Sequence, residues 1–184
     1  MLAVLAAFST GCSTAPTYDA PATASTIEAR FLTKIDDVDR VRWHHHRSSN
    51  IYGYSNLPLE IYIGQSIDDP EHVWLRLRIR WEGIKWVFLD GVTITTDGVR
   101  HDLNNLRFKR DIPSQTSSRV VESVDVLVGA KHREIIRAVI DSDVAVLRLR
   151  GSRGVKDYTL SDGDRVAFQD VLTAHDMLLQ GETP

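Results

Sequence analysis

Cysteine is almost absent, since Cys12 is the only one among 184 residues. An intramolecular disulfide is therefore excluded, and the fold must be held by its core. Long apolar runs are missing as well. The run Leu2–Phe8 covers seven residues, well short of the ~18–20 that a membrane-spanning helix needs. Basic residues are not in excess: 22 Lys and Arg face 25 Asp and Glu, for a formal net charge of −3. A nucleic-acid partner, which calls for a basic face, is not expected. Local catalytic signatures are lacking too. There is no G-x-S-x-G, no G-x-G-x-x-G and no phosphate-cradling glycine loop. Asp162-Gly163-Asp164 lacks the remaining oxygen ligands of a calcium loop and reads as a helix start. No cofactor is expected, and enzymatic activity is not the favoured reading.

What is present begins at the N-terminus. The run Leu2–Phe8 has the length of a secretory signal core, and the small residues Ser9, Thr10 and Gly11 lead to Cys12. Residues 13–25 are rich in Ser, Thr, Ala and Pro, with Asp19 their one charge, a composition that favours a flexible tether. Ser9-Thr10-Gly11-Cys12 resembles the cleavage box of a bacterial lipoprotein precursor. Ser9 stands where a leucine-like residue is usual, and no basic residue precedes the apolar core. The resemblance implies cleavage before Cys12 and lipid attachment, including palmitate, at that residue. It also implies a place on a membrane of the cell envelope. Ser13 after the cysteine is compatible with the outer membrane, facing the periplasm. The expected organisation is a signal peptide over 1–11, a lipidated cysteine and tether over 12–30, and one globular domain over 31–184.

The body alternates with period two, which predicts strands at Val41–His46, Leu59–Ile63, Trp74–Trp81, Lys85–Leu89, Val120–Val128 and Val144–Arg150. Lys85–Leu89 reads as central because it is apolar on both sides. In the first strand the expected inward set is Val41, Trp43 and His45. Asp97-Gly98 predicts a two-residue hairpin in which Thr96 faces Val99, Ile94 faces His101 and Val92 faces Leu103. Helical period appears in Ala130–Ile140 and in Ser161–Gln180, where Ser161 and Asp164 form a capping box. A third helical pattern covers Ser25–Val38. Together these elements predict an α+β domain, mainly an antiparallel β-sandwich with two helices in the C-terminal half. The later half also resembles small lipoproteins without an assigned activity. The residues that carry this are Trp86-Val87-Phe88-Leu89, the Asp-Gly hairpin, Val121-Glu122-Ser123-Val124, Arg148-Leu149-Arg150-Gly151 and the terminal helix.

Three groups of residues are candidates for chemistry. His44 and His46 share one strand face and could chelate a metal with a third ligand, but no ligand pattern supplies that partner nearby and a solvated strand face is the favoured reading. Arg76, Arg78 and Arg80 form a ridge beside Trp74, suited to phosphate, acidic polysaccharide or an anionic headgroup. Cross-strand acids would neutralise it, and Arg148 and Arg150 would extend it only if their strand were a neighbour. His101 and Glu122 fall on apolar strand faces. A buried carboxylate must find an arginine, His101 or several backbone donors. The pair could be an acid and a base in a cleft, or a purely structural feature. The functional expectation is a membrane-anchored envelope lipoprotein that binds an envelope protein or polymer without catalysis. The alternatives are an envelope hydrolase built around His101 and Glu122, and a carrier of a small ligand or metal.

Overall fold

In a computed structural model, residues 18–23, 26–51, 54–55, 57–113 and 118–182 are described. The strands in chain order are β1 (Phe31–Asp36), β2 (Val41–His46), β3 (Asn50–Ile51), β4 (Tyr54–Ser55), β5 (Leu59–Ser66), β6 (Val73–Gly83), β7 (Leu89–Thr96), β8 (Val99–Leu103), β9 (Lys109–Asp111) and β10 (Val120–Leu127). Helix α1 (Ala130–Asp141), strands β11 (Ala145–Gly151) and β12 (Gly154–Leu160), and helix α2 (Asp162–Leu179) follow. A six-stranded sheet runs β1-β2-β5-β6-β10-β9 and a four-stranded sheet β12-β11-β7-β8, both antiparallel. β3 and β4 form a separate ribbon. The fold is α+β and sandwich-like, with both helices in the C-terminal half.

Period-two alternation explains how the sheets share a core. Leu75, Leu77 and Ile79 of β6 lie opposite Ile63, Ile61 and Leu59 of β5 and are buried. From the other sheet, Val92 and Ile94 of β7 lie opposite Leu149 and Leu147 of β11. All belong to one apolar cluster that also contains Ile135, Ile136 and Val139 of α1 and Phe168, Val171 and Leu178 of α2. Helix α2 packs across β2, β5 and β6 and against α1. The β7–β8 hairpin has the expected register, with Asp97 and Gly98 at φ 47° and 85°, as a turn with two positive φ values requires. At the start of α2, the Ser161 side chain accepts from the Asp164 backbone N–H, and Asp164 accepts from the Ser161 backbone.

Four local expectations fail. Residues 25–38 are not a helix: a 3₁₀ turn at Glu28–Arg30 runs into β1, which pairs with β2 from Phe31↔His46 to Asp36↔Val41. The tether is also shorter than expected, because the described residues before 31 dock on the body. The Ala22 N–H donates to Asp170 of α2 at 2.6 Å, Arg30 pairs with the same carboxylate at 2.7 Å, and Ile27 is fully buried. Residues 85–88 form no strand; β7 starts only at Leu89. Finally, β2 is turned over relative to the expected set. His44 and His46 lie on the α2 side, while Trp43 and His45 meet Tyr62 on the other. Cys12 and the cleavage box lie outside the described residues.

Candidate functional site

The buried ionisable residues come first, because burying charge demands a reason. Glu122 lies on the core face of β10, between Val120 and Val124, and is fully buried. Its Oε1 accepts the backbone N–H groups of Val87 and Phe88 at 2.6 and 2.9 Å, and its Oε2 accepts that of Leu89 at 2.7 Å. Arg110 of β9 adds an ion pair at 3.3 Å. Successive backbone N–H groups converging on one anion make a nest, here filled by the protein's own carboxylate. His101 is elsewhere: half-buried on β8, with Nε2 bonded to the Thr96 hydroxyl at 2.9 Å. The two residues belong to different sheets and share no partner among the described residues, so no cleft is built around them.

All three histidines of β2 are buried. His46 Nε2–H donates to Asp170 at 3.2 Å, and its Nδ1 accepts from Ser48. His45 donates through Nδ1 to Glu60 at 2.9 Å and stacks on Tyr62. His44 shares a 3.0 Å hydrogen bond with the Thr33 hydroxyl. Burial pushes its imidazole down to about 4. The Gln65 amide beside it pulls the other way without outweighing burial, and Nε2 has no hydrogen-bond partner among the described residues. The solvated histidine face is thus corrected to a buried one. Among the described residues, no group of three metal-ligating side chains forms.

The arginine ridge stands on the outer face of β6, as its alternation requires, and each member has an acid beside it. Arg76 and Arg78 both reach Asp125, Arg78 also reaches the buried Glu60, and Arg80 pairs with Glu82 at 2.6 Å. Tyr62 donates to Asp125; burial and that bond raise its hydroxyl to about 12. Arg148 and Arg150 do not extend the ridge, because β11 lies in the other sheet and they pair with Asp157 and Asp90.

A different group of cations has no carboxylate partner among the described residues. Residues 84–88 form a strap across one end of the sandwich. Glu122 holds its backbone N–H groups from one side. From the other, its Val87 and Phe88 carbonyls accept from the Arg153 and Ser152 N–H groups at 3.0 and 3.3 Å. Phe88 sits in the left-handed region, at φ 57°, a conformation that costs a bulky residue about 1–2 kcal/mol and persists only where neighbours enforce it. Gly151 has no room for a side chain, since a Cβ would overlap the Val87 and Phe88 carbonyl oxygens.

Between this strap and β12 lies a cleft of about 680 Å³, lined by Trp81, Ile84, Lys85, Trp86, Arg153 and Lys156 among others. The Trp81 indole folds back over Gly83, where a Cβ would collide with its ring, and its N–H reaches the Lys85 carbonyl at 3.4 Å. Lys156 lies 5.0 Å from the centre of the Trp81 ring, and Arg153 lies 4.6 Å from that of Phe88. These are cation–π distances. Among the described residues, no carboxylate pairs with Lys85, Arg153 or Lys156. The sequence reading missed this cleft because its members come from two segments some 65 residues apart. The one available signal was the density of Trp, Lys and Phe between Trp81 and Phe88.

No protein-family model and no curated protein matches the chain.

Proposed function

We propose that the chain is a non-enzymatic binding module of a bacterial envelope, held to a membrane by lipid on Cys12 and presenting the strap cleft to its partner. One observation carries the binding reading, namely a cleft in which three cations without a carboxylate partner stand beside two tryptophans. The buried acids Glu60, Glu122 and Asp170 each have several structural partners. Lys85, Arg153 and Lys156, which have no carboxylate partner among the described residues, instead line one cleft with Trp81 and Trp86, where a ligand rather than the protein can complete them. Ser9-Thr10-Gly11-Cys12 after a short apolar run supports the anchor. The partner on this reading is an envelope protein or polymer, met on the periplasmic side of the outer membrane.

The anchor is tested by expressing the chain and its Cys12→Ser variant in a Gram-negative host fed labelled palmitate. The expected result is label and membrane fractionation for the parent, with both lost in the variant. An unlabelled parent that fractionates like Cys12→Ser would remove the anchor from the proposal. The binding half is tested separately, below.

A further inference from the structure

We infer that the strap cleft is a site for an acidic saccharide, one whose sugar face stacks on the indoles of Trp81 and Trp86 while its carboxylate or phosphate sits among Lys85, Arg153 and Lys156. The inference deepens the binding-module reading and rests on it. The chemistry follows from what the cleft offers. Both tryptophans are half-buried and line the cleft. Trp81 is pinned by its N–H bond to the Lys85 carbonyl and by the missing side chain at Gly83. Trp86 rides on a strap bonded from both sides and tilts against Phe88 at 6.3 Å between centroids. Rigid aromatic faces bind the C–H faces of sugar rings with little loss of side-chain entropy.

The cations supply the second requirement. Lys156 projects from the same side of β12 as Tyr158, and Lys156 and Tyr158 lie opposite Leu149 and Leu147. It therefore points toward the Trp81 end of the other sheet rather than to the outer face. The acids nearest in sequence are engaged elsewhere: Asp157 with Arg148, Asp90 with Arg150, and Glu82 with Arg80 and Arg119. An anion entering the cleft would meet three cations without displacing a carboxylate, while Lys156 and Arg153 exchange their ring contacts with Trp81 and Phe88 for it. A nucleic-acid strand fits less well, because a long phosphate backbone leaves the local cations and meets a chain of net charge −3.

The test is calorimetric titration of the full chain, with four probes: hexagalacturonate, mannose 6-phosphate, neutral maltohexaose and a 20-nucleotide oligothymidylate. Either acidic sugar should bind, and which one does so distinguishes carboxylate from phosphate. Arg153→Gln/Lys156→Gln, both at exposed positions, should weaken binding about tenfold or more. Arg100→Gln/Arg148→Gln, the same charge change on the outer face of the four-stranded sheet, should leave it unaltered. Equal binding of maltohexaose, tighter binding of oligothymidylate, or equal effects of the two double variants would overturn the assignment. If neither acidic sugar binds at millimolar concentration, yet solubilised envelope yields a partner lost in Arg153→Gln/Lys156→Gln, the saccharide is wrong and the module stands. If both fail, both readings fall.

Discussion

The Glu122 carboxylate and the Val87 backbone N–H meet at 2.6 Å across 35 residues of sequence. Their bond, with those to Phe88 and Leu89, fixes the strap that forms one wall of the cleft. In Glu122→Gln the side-chain amine would face backbone N–H groups that also donate, and Arg110 would lose its counter-charge. The expected loss is about 3 kcal/mol, which in a domain of this size lowers Tm by roughly 8 °C. Thermal and urea unfolding measure it. An unchanged Tm would show that the strap does not depend on this carboxylate.

Gly151→Ala places a methyl group against the Val87 and Phe88 carbonyls. The strap must move or β11 must bend, at a cost of about 1–3 kcal/mol. Gly98→Ala is a control of a different kind: it is strained only by its φ of 85°, with nothing near its added methyl. Trp81 and Trp86 emission should change in Gly151→Ala and stay close to the parent's in Gly98→Ala.

Asp170 binds Arg30, His46 and the Ala22 N–H at once. Asp170→Asn should therefore release residues 18–30 while leaving the sheets paired. The expected signature is faster amide hydrogen exchange at Ala22, together with a stability loss of about 3 kcal/mol. Unaltered exchange there would mean that the N-terminal segment is held by the burial of Ile27 alone.

Acid should weaken the fold in two stages. Burial keeps the His44 imidazole neutral down to about 4, whereas the unfolded chain takes up that proton near 6.5. The unfolded state binds more protons between those values, so stability falls as pH drops from about 6.5 toward 4. At lower pH the Asp170 contribution goes too. Burial works to raise its carboxyl, but bonds from His46, the Ala22 N–H and Arg30 outweigh it and hold the group below its ordinary value. Urea unfolding at pH 7 and pH 4.5 should differ by roughly 2 kcal/mol on account of His44. In His44→Gln that share of the difference should vanish. If it persists, another group is responsible.

Much of the fold was legible in the sequence because local rules governed it. Asp97-Gly98 fixed a register, Ser161 and Asp164 a helix start, and alternation from Leu75 to Ile79 a buried face. Failures fell where distant partners decided the outcome. Ile27, Phe31, Ile35 and Val38 have helical spacing, yet pairing with β2 draws 31–36 into a strand and leaves Ile35 and Val38 in water. Lys85–Leu89 looks like a strand because its apolar run Trp86–Leu89 carries no sign of the carboxylate 33 to 35 residues away that captures its backbone. The polarity of β2 was misread because both its faces are covered, one by α2 and the other by Tyr62. The demand that Glu122 meet backbone donors or an arginine was readable from its apolar neighbours, and it meets both. Asp170 was readable on the same grounds, lying between Ala167 and Ala174 on the apolar side of α2. The cleft as a whole could not be read, since Trp81 and Lys85 become neighbours of Lys156 only when the two sheets meet.

Four tryptophans give the most direct measurement, because Trp81 and Trp86 line the cleft while Trp43 and Trp74 lie together on the outer sheet face. Their indole N–H signals can be followed by nitrogen-15 NMR while hexagalacturonate is added. We expect the Trp81 and Trp86 signals to move in a saturable way, with Trp43 and Trp74 still. Movement confined to Trp43 and Trp74 would contradict a binding module centred on the strap cleft.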